Sequence, residues 1–416
     1  MAMSPARAPL LPLADAMALL LSTVRSIEAT EQVATLDADG RVLAQDVVSD
    51  LHVPPQDNSS MDGYAVRVLD VTAPGVEMPV SQRIPAGSAG TPLQAQSVAR
   101  IFTGAPIPAG ADAVVMQEDC VAVSGSAGDA ARVQVNVIPR SGQWIRRAGE
   151  DVTSGAVVLA RGQRLGPAEL GLAASIGMDK LVVVKRPRVA LFSTGDELVM
   201  PGTVAPQNMP PGAIYNSNRF FLNSLLRRMG CEVTDFGIVP DKLDATVNAM
   251  RDASVAHDVI LTSGGVSVGE EDHIKPAVQS LGSLDLLQIA IKPGKPFAHG
   301  KVGAAHFIGL PGNPVSSFVT FLLLVRPFLL RLQGVADVKP LGASIRADFD
   351  WPRADRRQEF LRVRRNGQGG LDLFANQSSG VLTSAVWGDG LVDNPGGQTI
   401  QKGDSVRFYS FAELLA

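Results

Sequence analysis

The sequence lacks several features that would place it outside ordinary globular proteins. It has only two cysteines among 416 residues, Cys120 and Cys231, and neither belongs to a CxxC pair. A disulfide framework or zinc site is therefore not expected, and a reducing cytoplasm is the expected location. The most apolar stretch, 318–330, is interrupted by Arg326 and Pro327. A membrane span needs about 20 apolar residues, so we expect a buried helix and no membrane partner.

Charge of one sign does not dominate the sequence. Lys and Arg number 37 against 41 Asp and Glu, which gives a net charge of -4. Proteins that bind nucleic acid along a surface usually have a basic excess, so no nucleic-acid partner is expected. The hydrophobic fraction of 45% is that of a globular protein. The length is sufficient for about two to four domains.

The secondary-structure signals change along the chain. Helical spacing of apolar residues predicts helices over 13–26 and 162–176, whereas 49–150 alternates proline, glycine and short β-prone runs. From Pro187 short strands alternate with helices, a pattern that predicts a mostly parallel α/β sheet. Short strands and glycine turns from about Pro340 predict a small β domain. The predicted α/β strands are 189–192, 232–239, 259–262, 286–291 and 306–310, with helices over 218–229, 243–254, 272–281 and from Pro314.

The loop over 262–272 is the most informative one of the α/β region. In open α/β sheets ligands bind beyond the carboxyl ends of the strands, and this loop follows a strand. Its glycines let backbone N–H groups face a phosphate, and Ser263 and Ser267 add hydroxyl donors. It is neither a P-loop nor a GxGxxG motif. The alternative is a turn in which glycine serves only positive φ angles.

Charged residues follow other strands at the same predicted rim. Glu197, Asp241 and Asp272 predict a Mg²⁺ site, because this cation takes oxygen ligands between carboxylates and phosphates. Each acid taken alone is typical of a helix cap or a solvated side chain. Lys292 and Lys295 straddle a Pro-Gly turn that aims two ammonium groups at one oxyanion, although a lysine pair is also typical of a solvated face.

Several long motifs resemble the MoeA family of molybdopterin molybdenumtransferases, which includes the gephyrin E domain. They occur in order along nearly the whole chain. The motifs are 58–65 (NSSMDGYA), 103–106 (TGAP), 110–115 (GADAVV), 147–151 (RAGED), 193–198 (STGDEL), 262–269 (TSGGVSVG), 292–296 (KPGKP) and 310–314 (LPGNP).

The resemblance implies an elongated homodimer whose chains each have four domains. A discontinuous MogA-like α/β domain takes 10–29 and 187–338, and a helical and extended linking domain takes 30–48 and 150–186. A β-rich domain takes 49–149, and a C-terminal β domain takes 339–416. The implied fold class is thus multidomain α/β plus β.

The resemblance also implies an activity. The family inserts molybdate into adenylylated molybdopterin, with Mg²⁺ and release of AMP, and a MogA-type adenylyltransferase is the expected partner. Asp62 and Thr103 would reach the site from the β-rich domain, across a dimer. The implied catalytic residues are Asp62, Thr103, Asp151, Glu197, Asp241 and Asp272, with Glu197 and Asp272 as metal ligands. The implied ligand-binding residues are Ser263, Gly264, Gly265, Ser267, Gly269, Lys292, Lys295, Pro296, Pro311, Gly312, Asn313, Arg362 and Ser379.

One position departs from the family pattern, and some alternatives stay open. Many members have lysine where this chain has Gln288, which removes a positive charge from the expected site. Tungstate could replace molybdate, since the two oxyanions have nearly the same size. A pterin-binding scaffold and a nucleotide hydrolase are further readings, and Arg362 could pair with Glu359 on a surface instead of binding an oxyanion.

Overall fold

The computed structural model describes residues 10–123, 131–240, 242–265 and 273–415. Its centre is a six-stranded sheet with helices on both faces. Four neighbouring strands run parallel, and two further strands at one edge are antiparallel to their neighbours, so the sheet is mostly parallel as predicted. In spatial order the strands are Glu232–Ile238, Arg188–Ser193, Val259–Ser263, Ala305–Leu310, Pro296–Val302 and Gly282–Gln288.

The helices of this domain cover the sheet because each presents an apolar face to it. Pro314–Leu332 forms a 19-residue helix that is long and apolar enough to cross a membrane, yet 89% of its most apolar window is buried in the protein. The prediction of a buried helix is confirmed. The helices packed on the sheet are Leu13–Ser22, Asn218–Arg228, Leu243–Ala256, Ile274–Leu281 and Pro314–Leu332.

The predicted strand 286–291 is wrong in its limits. Gly282–Gln288 is a strand of the central sheet, whereas Ile291–Lys292 leaves it and pairs in parallel with Gln358–Arg365. The strand Pro296–Val302 was not predicted at all. Its small and polar residues have weak β-propensity, and its place between two neighbouring strands decides its conformation. The first helix is also shorter than predicted, since it ends at Ser22.

Two smaller units precede the central sheet. One is a six-stranded sheet, in agreement with the β-rich region expected there. The other combines the helix Pro167–Ser175 with the antiparallel pair Thr30–Ala34 and Lys180–Val184 and the pair Val47–Val48 and Val157–Leu159. The β-rich sheet has the order Ala113–Met116, Gly63–Val66, Val98–Ile101, Val76–Ile84, Arg132–Val135 and Cys120–Val123.

The C-terminal unit is a closed β-barrel. Its sheet closes because Gln358–Arg365 pairs with Gly370–Leu373 on one side and Gly390–Asn394 on the other. The barrel core is separate, but Leu391 and Phe411 belong to the core of the central domain together with Ala16 of the first helix. The limits of the four expected domains stay predictions. The remaining barrel strands are Ala343–Ala347 and Ser405–Ser410, followed by the helix Phe411–Leu414.

Candidate functional site

A cavity of about 760 Å³ lies beyond the carboxyl ends of the parallel strands. Loops that are distant in sequence meet there, as the topology of an open α/β sheet requires. Several residues singled out from the sequence line it: Glu197, Ser263, Gly264, Gly265, Pro296, Pro311, Gly312 and Asn313. The lining also includes Thr194, Gly195, Leu198 and Pro314, which belong to the motifs 193–198 and 310–314. The lining residues that were not foreseen are Ile214, Tyr215, Asn216, Ser217, Asn218, Ile274, Ser316 and Gly380.

The glycine loop opens on two residues with left-handed backbone. Gly264 and Gly265 have φ of 95° and 70°, which side chains other than glycine rarely adopt. A Cβ at Gly264 would also lie 3.0 Å from the Thr194 carbonyl oxygen. The Gly264 N–H donates to the Leu310 carbonyl at 3.0 Å, so Gly264 serves the turn, and phosphate binding by the loop stays a prediction. Ser267, Gly269 and Asp272 lie outside the described residues, as does Asp241.

Asn218 connects two loops of the cavity. Its Nδ2 donates to Ser263 Oγ at 2.8 Å and to the Gly312 carbonyl at 2.7 Å. The sequence analysis treated Asn218 only as the start of a predicted helix and did not single it out for the site. Asn216, two residues earlier, accepts a hydrogen bond from the Arg219 N–H at 3.2 Å. The available signal was the Asn-Ser-Asn run at a helix start on the sheet rim.

In the part of the chain that the structure describes, two cavity-lining residues carry a buried polar atom with no hydrogen-bond partner, Thr194 Oγ1 and Asn216 Nδ2. The same holds for Ser193 Oγ and Thr262 Oγ1 at the ends of the adjacent strands. Buried polar groups in proteins are nearly always paired, so each exception needs a cause. Their concentration at the ends of two neighbouring strands is typical of a site that a polar ligand completes.

Glu197 supplies an exposed carboxylate to the cavity. Its oxygens lie against Gly195, where a Cβ would come within 2.6 Å of Oε2. Within the described ranges no three His, Cys, Asp or Glu side chains come together as a metal site. The carboxylate is thus suited to bind a hard cation as one of several ligands.

The two lysines of the 292–296 turn have different surroundings. Lys292 Nζ lies 3.0 Å from Glu359 Oε1 and 3.5 Å from Asp355 Oδ2, so the barrel already neutralises its charge. Lys295 is half-buried, and no hydrogen bond or ion pair of its ammonium group is found with the described residues. The turn reaches the cavity through Pro296.

Arg362 is buried in the barrel, with 1% of its surface exposed. Its guanidinium donates to the Ser384 hydroxyl at 3.1 Å and to the Phe360 and Ser378 carbonyls at 3.1 and 3.3 Å. Burial lowers the pKa of Arg362 to about 10. The alternative of a surface pair with Glu359 is wrong, because Glu359 is buried and accepts from Lys292 instead.

The barrel contacts the cavity beside Arg362. The Ser379 carbonyl accepts a hydrogen bond of 2.9 Å from the Val315 N–H, at the start of the long apolar helix. Gly380 follows and lines the cavity. Arg362 donates to the carbonyl of Ser378, the residue before Ser379. Arg362 and Ser379, the two barrel residues singled out from the sequence, therefore lie near each other.

Asp62 and Thr103 meet on the β-rich unit and not at the cavity. Asp62 Oδ1 accepts from the backbone N–H and the hydroxyl of Thr103, both at 2.8 Å. These hydrogen bonds, with that of the backbone N–H foremost, lower the pKa of Asp62. Asp151 is exposed and does not line the cavity either. The structure of one chain thus does not bring these three residues to the rim.

Known proteins resemble this chain over most of its length. The molybdopterin molybdenumtransferase of Haemophilus influenzae is 39% identical over 366 residues, which cover 86% of this chain and 87% of that one. Molybdopterin molybdenumtransferase 2 of Mycobacterium tuberculosis is 38% identical, with 86% and 89% covered. The chain belongs to the molybdopterin molybdenumtransferase family.

Family profiles and solved structures agree with this membership. Residues 11–177 match the MoeA N-terminal region (domain I and II), 190–331 a probable molybdopterin binding domain, and 344–411 the MoeA C-terminal region (domain IV). The molybdopterin biosynthesis MoeA protein of Pyrococcus horikoshii has a TM-score of 0.83 and 28% identity, with 97% of this chain and 100% of that one covered. Most residues that line the cavity of this chain fall within the second of the three matched regions, 190–331.

Proposed function

We propose that this molybdenumtransferase inserts molybdate into adenylylated molybdopterin and releases AMP. Its family membership makes it an enzyme of molybdenum cofactor biosynthesis. The adenylylated form of the substrate and the need for Mg²⁺ are proposals. The observation that carries them is the polar cavity within 190–331, where a glycine loop, a carboxylate and unpaired hydroxyls converge.

The phosphate groups of the substrate would bind at the glycine loop. Gly265 offers its backbone N–H at a positive φ angle, whereas the Gly264 N–H already donates to the Leu310 carbonyl at 3.0 Å. Backbone N–H groups in such turns form anion-binding concavities. The Thr194 hydroxyl lines the cavity, has no hydrogen-bond partner among the described residues and can donate to the same ligand. Asn218 keeps the loop in place through Ser263.

Mg²⁺ would bind beside these phosphates. Glu197 fits as a ligand because its carboxylate is exposed at the cavity, and Asp272 is the second ligand that the resemblance implies. When bound, the ion would neutralise charge on the phosphate oxygens as the bond to AMP breaks.

Molybdate would bind between the 292–296 turn and the barrel. Lys295 and Arg362 are half-buried or buried cations for which no carboxylate partner is found among the described residues. Gly380 next to Ser379 brings the barrel to the cavity edge. Charged hydrogen-bond donors from two sides suit a small tetrahedral oxyanion. Holding it near the pterin sulfurs would lower the barrier by proximity.

Asp62 and Thr103 would act on the cavity of a partner chain. On the β-rich unit Thr103 is exposed and Asp62 is half-buried, so a homodimer is the simplest way to bring the pair to a rim. Delivery of substrate by a MogA-type adenylyltransferase and a cytoplasmic location are further parts of this proposal.

The proposal is tested by mixing purified protein with adenylylated molybdopterin, Mg²⁺ and molybdate. AMP release that requires molybdate supports it. AMP release without any oxyanion would indicate a nucleotide hydrolase, and binding without turnover would indicate a scaffold. A competition assay between molybdate and tungstate decides which oxyanion is preferred.

A further inference from the structure

Lys292 is tied to the barrel before any oxyanion binds. Its strand pairs with the barrel so that Lys292 lies opposite Glu359, and its Nζ contacts Glu359 at 3.0 Å and Asp355 at 3.5 Å. An ammonium group shared by two carboxylates attracts a further anion weakly. A molybdate ion that uses Lys292 must therefore replace one of them.

The two carboxylates are not equivalent, and Glu359 is the one that stays. Its side chain is only 1% exposed, and it accepts a second hydrogen bond from Trp351 Nε1 at 2.7 Å. Separating a buried carboxylate from its cation leaves an uncompensated charge in a medium of low polarity, which is strongly unfavourable. Glu359 thus fixes the position of the Lys292 amine.

Asp355 is the replaceable partner. It is 21% exposed, and its contact with Lys292 is longer than a good hydrogen bond. Arg357 binds it through two bonds of 3.0 and 2.8 Å and keeps the pKa of Asp355 well below its usual range. Because Arg357 still compensates its charge, Asp355 can leave Lys292 without becoming an unpaired carboxylate.

We propose that Asp355 occupies the anion position beside Lys292 until molybdate displaces it, while Glu359 holds the amine in place throughout. Asp355 is then an internal competitor that sets how strongly the site binds any tetrahedral oxyanion, and Glu359 is a positioning residue. This inference rests on the proposed oxyanion site at the 292–296 turn.

The test compares Asp355→Asn with a matched control, Asp389→Asn. Asp389 accepts from the backbone N–H and the Nε of Arg365, much as Asp355 does from Arg357, but its recorded ion pair is with Arg365 alone. Asp355→Asn should tighten molybdate binding by about two- to fivefold at low salt, the range expected for a partly exposed pair. The KM for molybdate should fall with kcat unchanged, and the gain should shrink at high salt. AMP affinity should not change, and Asp389→Asn should alter neither ligand.

Two outcomes overturn the inference: equal effects in both aspartate variants, or tightening by Asp355→Asn that persists when Lys292→Gln is also present. Lys292→Gln alone separates this inference from the proposed function. If that variant keeps full molybdate affinity, the oxyanion site itself is wrong. If it loses affinity while Asp355→Asn has no effect, only the competition by Asp355 is refuted.

Discussion

Asn218 and Ser263 join two loops of the cavity rim through a hydrogen bond of 2.8 Å from the amide Nδ2 to Oγ. The same amide donates to the Gly312 carbonyl at 2.7 Å, so both of its N–H groups are used. One side chain thus sets the spacing of three segments around the cavity. Its helix begins at this residue, which gives the amide a rigid support.

Asn218→Asp should destabilise the protein and weaken nucleotide binding, because a carboxylate cannot donate to Ser263 or to the Gly312 carbonyl. Unpaired buried groups cost about 1–3 kcal/mol each. Thermal melting and AMP titration measure both effects. Asn223→Asp is the control, since half-buried Asn223 accepts a hydrogen bond from Arg227 and donates none among the described residues. Similar melting temperatures for the two variants would contradict the role given to Asn218.

Glu197→Gln should abolish most Mg²⁺-dependent AMP release while leaving thermal stability unchanged. The side chain is exposed and neither donates nor accepts any recorded hydrogen bond within the described residues, so its loss should not disturb the fold. A Mg²⁺ titration of initial rates is the measurement, with exposed Asp196→Asn as the neighbouring control. Full activity at the same Mg²⁺ concentration would exclude Glu197 as a ligand.

Mixed dimers of Asp62→Ala and Glu197→Gln chains should regain activity that neither variant has alone. If Asp62 acts on the partner's cavity, each mixed dimer contains one intact site, so random mixing restores about a quarter of the full rate. Asp62→Ala mixed with Thr103→Val is the control, because both residues then belong to the same surface. If no activity returns after subunit exchange, Asp62 either acts on the cavity of its own chain or takes no part in the site.

Gln288→Lys should tighten molybdate binding at low salt by adding the positive charge that many family members have. Gln288 lies opposite Pro296, which lines the cavity, so the new ammonium would reach its edge. The gain should fade as ionic strength rises. Exposed Asp285→Asn, on the same strand, changes the charge equally and serves as control. The same molybdate KM for Gln288→Lys and wild type at low salt would refute the prediction.

Arg362→Ala should weaken molybdate binding and also destabilise the barrel, because Ser384 and two carbonyls lose a buried donor. The stability loss is expected to be on the order of 3 kcal/mol. Arg362→Lys keeps the charge but not the planar fork, so it should recover part of the oxyanion affinity. Chemical denaturation and separate titrations with molybdate and AMP measure these effects. If folded Arg362→Lys and Arg362→Ala variants both bind molybdate as tightly as wild type, Arg362 is not part of the oxyanion site.

The α/β core was predictable because its central strands are short, mostly apolar runs with recognisable helices between them. Val259–Ser263, for example, is buried at every position, which is typical of a central parallel strand. Pro296–Val302 was missed because only Phe297 and Val302 among its seven residues favour a strand. Its neighbours on both sides impose the conformation, an effect that single-sequence patterns do not contain.

The site was predictable where it depends on loop chemistry and not where it depends on long-range contacts. The glycine loop, Glu197 and Pro311 follow their strands, so topology alone brings them to one cavity. The sequence analysis predicted that Lys292 binds an oxyanion. In the structure its ammonium group donates to Glu359, which lies 67 residues further along the chain. This pairing forms only when the barrel packs against the strand Ile291–Lys292, so the residues near Lys292 in the sequence do not reveal it.

The hydrophobic core of the central domain has a bearing on how this protein can be dissected. Leu391, Phe411 and Leu414 are buried in the same cluster as Ala16, and the Phe411 ring packs edge-on against Phe318 at 5.4 Å. A fragment that stops at residue 338 would leave this apolar surface open to water. The central α/β portion is therefore a poor candidate for expression by itself, and any shortened version must retain the last helix, which covers this apolar surface.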